Sequence, residues 1–192
     1  MTNTPRIART ALQSLVFASS ALFLASVAHA DMHANKGSKE AYEHTKSEAK
    51  TKYDAAKDQC KSLSGNAADV CKAEAKVQHV TAVSTAEAQY KNTPKAAYAA
   101  RKDIADAQYD LAKEKCDDQT GNAKDVCKKE AEAAHTAAKA DAEVKLKTRK
   151  AINEAAEDKS DAKYAAAKEK CDSLNGDAKD ACQAKVKADF GK

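Results

Sequence analysis

The chain has no tryptophan, only two prolines, three phenylalanines and five glycines in 192 residues. Large aliphatics are also scarce. From Asp31 onward only 15 residues are Leu, Ile, Val, Met or Phe, too few for a thick globular core. No segment after residue 30 approaches the ~20 apolar residues of a spanning helix. Blocks of one charge are missing as well, so the chain offers no polybasic surface for nucleic acid or anionic lipid. No serine elbow, HExxH, phosphate loop or CxxC occurs, and the sequence reads as that of a protein that is not an enzyme.

What is present begins with an export signal. Arg6 and Arg9 precede an apolar run from Ala11 to Val27, and Ala28-His29-Ala30 supplies small residues at −3 and −1 of a cleavage site. Residues 1–30 therefore read as a secretory signal peptide, leaving Asp31 as the mature N-terminus. The expected product is soluble and periplasmic, with no stable membrane anchor after cleavage. It keeps 38 alanines, 31 basic and 29 acidic residues, and loses two arginines, so its formal charge falls from +4 to +2. Low apolar content with balanced charge and a filler of Ala, Lys and Glu favours long helices with thin seams over disorder.

The cysteines lie in an internal repeat. CKSLSGNAADVC at 60–71 returns as CDDQTGNAKDVC at 116–127 and as CDSLNGDAKDAC at 171–182. Upstream, YDAAKDQC, YDLAKEKC and YAAAKEKC align Tyr53, Tyr109 and Tyr164, and also Lys57, Lys113 and Lys168. The period is 56 residues and then 55. Each copy reads as a helical hairpin. Gly65, Gly121 and Gly176 are placed to close a helix in the left-handed conformation. Asn66, Asn122 and Asp177 then follow as N-caps of the next helix.

In every copy one Cys lies five residues before the Gly and the other six after it. Antiparallel helices bring such positions to matching heights, which pairs Cys60 with Cys71, Cys116 with Cys127, and Cys171 with Cys182 as disulfides. Closing loops of this size stabilises each hairpin by about 3 kcal/mol in the chain-entropy model. A zinc site using His79 and His135 finds only three ligands per copy, and Phe190 stands at that place in the third. Both histidines are read as helical surface residues.

The expected fold is all-α: three disulfide-stapled helical hairpin repeats in an elongated, alanine-rich bundle or rod. The organisation is 1–30 signal peptide, 31–38 flexible tail, 39–94 first hairpin, 95–150 second, and 151–192 a shorter third. Helices are expected near 39–63, 67–91, 95–118, 123–150, 151–173 and 177–189. Asn92-Thr93-Pro94 breaks the chain between the first two copies. The second junction, Lys147 to Ile152, has neither Pro nor Gly, so local propensity favours one helix over 123–173, whereas repeat symmetry argues for a bend near 148–153. Tyr42, Tyr53 and Cys60 form one stripe, matched by Tyr98, Tyr109 and Cys116, and serve as seam packing. Val70, Val77, Val80 and Val83 give the second helix a partial apolar face.

The Tyr-x-x-x-Lys-x-x-Cys segments in their Ala/Lys/Glu background resemble small exported proteobacterial proteins labelled cell-envelope biogenesis or TolA-like. That resemblance implies a helical spacer, scaffold or interaction protein of the envelope, with an envelope protein or a second copy as partner. LAKEK at 111–115 and AAKEK at 166–170 also resemble the eleven-residue repeats of late-embryogenesis-abundant proteins, which implies protection under dehydration or osmotic stress. No cofactor is expected in the helical part. The mature N-terminus, Asp31-Met32-His33, offers an amine, two backbone amides and an imidazole, a planar nitrogen set suited to Cu(II) or Ni(II).

Overall fold

The computed structural model describes residues 37–192. All regular structure in them is helical: α1 (Lys39–Cys60), α2 (Gly65–Lys91), α3 (Pro94–Cys116), α4 (Gly121–Cys171) and α5 (Gly176–Phe190). Residues 1–30, read as an export signal, and Asp31, Met32 and His33 lie outside the described residues. No helix among those described is long and apolar enough to cross a membrane.

Each start and stop has a local cause. Ser38 caps α1 through its hydroxyl, which accepts from the Ala41 N–H at 3.1 Å. Just before it, Gly37 donates its N–H to the Gln89 carbonyl at the far end of α2, 3.0 Å away. α2 ends where Asn92 turns left-handed at φ 46° and returns its N–H to the Ala88 carbonyl. Thr93 then caps α3 by accepting from the Ala96 N–H, and Pro94 occupies the first helical position, where no N–H is needed.

The glycines in the cysteine segments are left-handed, at φ 57°, 56° and 56°. Their place differs from the expectation. α1, α3 and α4 stop at the first cysteine, and the glycine opens the following helix instead of closing the preceding one. The expected N-caps are displaced accordingly. Ser64, Thr120 and Asn175 hold the extended position before each start, and none makes a side-chain cap bond. Asn66 reaches across to α3, where its Nδ2 donates to the Glu114 carbonyl at 2.9 Å. That carbonyl belongs to the last turn of a helix and has lone pairs to spare.

The second junction is unbroken. α4 runs 51 residues from Gly121 to Cys171, roughly 75 Å, as expected where neither Pro nor Gly interrupts good helix formers. Helices contact only their chain neighbours: α1 with α2, α2 with α3, α3 with α4, and α4 with α5. Among the described residues the core is made of eleven alanines and three cysteines. Ala49, Ala68, Ala75, Ala86, Ala88, Ala97, Ala100, Ala105, Ala107, Ala131 and Ala142 line the seams, with Cys60, Cys116 and Cys171 at their ends. No Leu, Ile, Val or Phe is buried among the described residues, and no polar side chain is either. Burying one methyl yields about 0.8 kcal/mol, against roughly 1.5–3 kcal/mol for Leu or Val. Such seams are close but weak.

Candidate functional site: staples, ring pairs and charged faces

Three disulfides cross from helix to helix. Cys60–Cys71 joins α1 to α2, Cys116–Cys127 joins α3 to α4, and Cys171–Cys182 joins α4 to α5. The Cα atoms are 5.7, 5.6 and 5.7 Å apart, within the usual disulfide range. These are the pairs expected from the spacing about each glycine. No free cysteine remains among the described residues, so no thiolate is left for a zinc site.

Two helical turns from each staple lies a pair of rings. Tyr53 meets His79 with centroids 5.1 Å apart, Tyr109 stacks on His135 at 4.6 Å, and Tyr164 meets Phe190 edge-on at 5.7 Å. The ammonium groups of Lys57 and Lys113 sit over the Tyr53 and Tyr109 rings at 5.1 and 4.7 Å. Nearer the N-terminus of α1, Tyr42 stacks parallel on Tyr90 at 5.5 Å. Tyr42, Tyr53 and Tyr109 of the stripe therefore pack in the seams, as their helical spacing implies.

The histidines correct an expectation. They are not surface residues but the partners of the tyrosines, half-buried between helices. A signal for this was present, since Phe190 holds the same place in the third copy. A slot filled by His, His and Phe asks for a flat ring.

The two histidines differ in their polar partners. His135 Nε2 lies 2.6 Å from Asp106 Oδ1, with the imidazole side chain only 17 % exposed. Asp106 also accepts from Lys102 at 2.9 Å, and these two bonds, Lys102 first, hold its carboxyl below the ordinary value. One period earlier the position of Asp106 is Lys50, and the buried Nδ1 of His79 has no partner. The Tyr109–His135–Asp106 cluster thus ties α3 to α4 more firmly than Tyr53–His79 ties α1 to α2.

Ion pairs lie along the exposed polar faces. Between helices, Lys76 meets Asp110 at 2.8 Å and Lys115 meets Glu74 at 2.9 Å, both across α2 and α3. At the turns, Asp117 accepts from Lys128 and from Lys124, and Asp172 accepts from Lys179, which lowers both carboxyls. Exposed pairs of this kind add little to stability, because solvent and salt screen them. Their effect is to keep long charged faces in water.

Among the described residues no group of three or more His, Cys, Asp or Glu is placed to hold a metal ion. The proposed nitrogen set at Asp31, Met32 and His33 lies outside them. No protein-family model matches the chain, and no curated protein or solved structure matches it either.

Proposed function

We propose that this is a non-enzymatic helical scaffold or spacer of the periplasm. In this reading residues 1–30 direct export, and the mature chain forms three stapled hairpins in tandem. Its charged faces and alanine seams serve contact with another envelope protein or with a second copy, in maintenance of the envelope or under stress. The observation that carries the reading is the pairing of a core limited to alanine and cysteine with three disulfides. A chain so poor in apolar burial relies on its staples, and staples persist in an oxidising compartment. The resemblance to exported TolA-like proteins points the same way.

Circular dichroism of the oxidised mature protein in dilute buffer tests it. A scaffold gives a strongly helical spectrum and a cooperative melt, and both weaken on reduction. Coil that becomes helical only on drying replaces the scaffold with a dehydration protectant. Fractionation of cells making the full chain should find it in the periplasm, shortened by 30 residues.

The N-terminus carries a separate proposal, a Cu(II) or Ni(II) site made by Asp31, Met32 and His33 once Ala30 is removed. Titration of Cu(II) into the mature protein should raise the visible band of a four-nitrogen complex. His33→Ala should abolish that band. Equal copper affinity in the two proteins ends the metal proposal and leaves the scaffold untouched.

A further inference from the structure

The five exposed large apolar side chains among the described residues are not scattered. Leu63 and Leu174 lie in turns, whereas Val126, Val144 and Ile152 all lie on α4, exposed by 47, 61 and 54 %. Their places in the repeat explain them. One period before Val126 is Val70, one before Val144 is Ala88, and one before Ile152 is Ala97. Val70 is half-buried, Ala88 is 2 % exposed and Ala97 1 % exposed. Ala88 and Ala97 stand at equal distances on either side of the Asn92-Thr93 turn, so the antiparallel packing of α2 on α3 sets them at one height.

The equivalent seam is missing further along. α2 packs on α3 because Asn92, Thr93 and Pro94 reverse the chain. At the equivalent junction α4 continues as one helix, so its first half, equivalent to α2, cannot fold back on its second half, equivalent to α3. Two faces that would cover each other are left without a partner in the same chain.

We propose that a second copy of this chain covers them, through antiparallel pairing of two α4 helices about a two-fold axis near Thr148. Thr148 is midway between Val144 and Ile152, so in that arrangement Val144 of one copy meets Ile152 of the other, twice over. The charges agree with it. Glu74 and Lys115 pair across α2 and α3, and their equivalents one period on are Glu130 and Lys170, again of opposite sign. The Asn66 bond to the Glu114 carbonyl has its counterpart in Asn122 and Glu169. The Lys76–Asp110 pair is not reproduced, since Glu132 and Ala165 stand there, and Glu132 is held by Lys129 on its own helix. Larger side chains at the crossing replace the two alanines, as suits a seam formed between molecules without a covalent turn to hold it. The pairing is isologous, the same face of each copy meeting itself. It stands on the α2–α3 seam and does not depend on the scaffold reading or on the compartment.

Light scattering coupled to gel filtration, on the oxidised mature chain at sub-millimolar concentration, reads the oligomeric state. A dimer is expected. Val144→Glu with Ile152→Glu should weaken it by at least roughly tenfold in Kd, with helix content unchanged because both side chains are exposed in the monomer. Glu130→Lys alone and Lys170→Glu alone should each weaken it, and the two together should restore it. A third variant recreates the first junction: Thr148→Asn, a threonine inserted after it, and Arg149→Pro should give a monomer that folds back on itself with helix content largely kept. A monomer for the unaltered chain overturns the proposal. So does a dimer indifferent to the Val144/Ile152 change, or one that the Glu130/Lys170 exchange fails to restore.

Discussion

At the scale of the residue, this protein is governed by alanine. A methyl on each facing position lets helix axes approach closely, but it leaves no room for anything larger. Ala97 is 1 % exposed and packed at the start of α3. Ala97→Leu should therefore cost about 1–3 kcal/mol through overpacking, read as a shift in thermal or urea midpoint. Ala166→Leu, on an exposed part of α4, should change the midpoint little. Charge acts at the same scale through Asp106. Lys102 and His135 hold its carboxyl below the ordinary value of 3.8, so the unfolded chain takes up that proton more readily than the folded one. The resulting stabilisation is complete above the unfolded value and is lost as the pH falls below it through the lowered folded value. Asp106→Asn is expected to destabilise at neutral pH, with the deficit shrinking as the pH falls below the ordinary carboxyl value. A deficit that stays constant across that range would show packing, not charge, at work.

At the scale of the element, three residues decide between a turn and a 51-residue helix. Asn92 accepts a left-handed φ, Thr93 caps, and Pro94 begins α3 without needing an N–H. Where the second junction has Thr148, Arg149 and Lys150, nothing opposes propagation, and α4 continues. The disulfides act on the same scale, since each fixes one helix end against the start of the next. Cys116→Ala with Cys127→Ala frees the α3–α4 turn and should cost about 3 kcal/mol in the chain-entropy model. Hydrogen exchange should then quicken first at the end of α3 and the start of α4. Uniform quickening throughout would mean that the staples act only on the chain as a whole.

At the scale of the molecule, each helix touches only its neighbours in sequence. Stability is then close to a sum of seam terms, as in repeat proteins. In the same double variant, the Tyr53–His79 seam and the Cys171–Cys182 staple share no contact with the altered turn and should keep their protection. Loss of all helix in one step would reveal coupling that the seams do not account for.

Much of this was legible beforehand. The helices, the three cysteine pairs, the Asn92-Thr93-Pro94 break and the unbroken α4 follow from spacing and propensity, which act over a few residues along one chain. The side-chain partners were not legible. Gly65 and its equivalents were rightly left-handed, yet they open helices, because α1, α3 and α4 end at their cysteines. Asn66 gave up capping for a carbonyl 48 residues away. His79 and His135 look alike in sequence; Phe190 at their place in the third copy hinted at a slot for a ring, but only packing showed one of them bonded to Asp106. The sequence by itself determined where helices run and which cysteines meet, because hydrogen bonding along the backbone and the turn residues are local. Only the tertiary structure decided which polar atoms find partners and which apolar faces stay open, because that depends on the register of one helix against another.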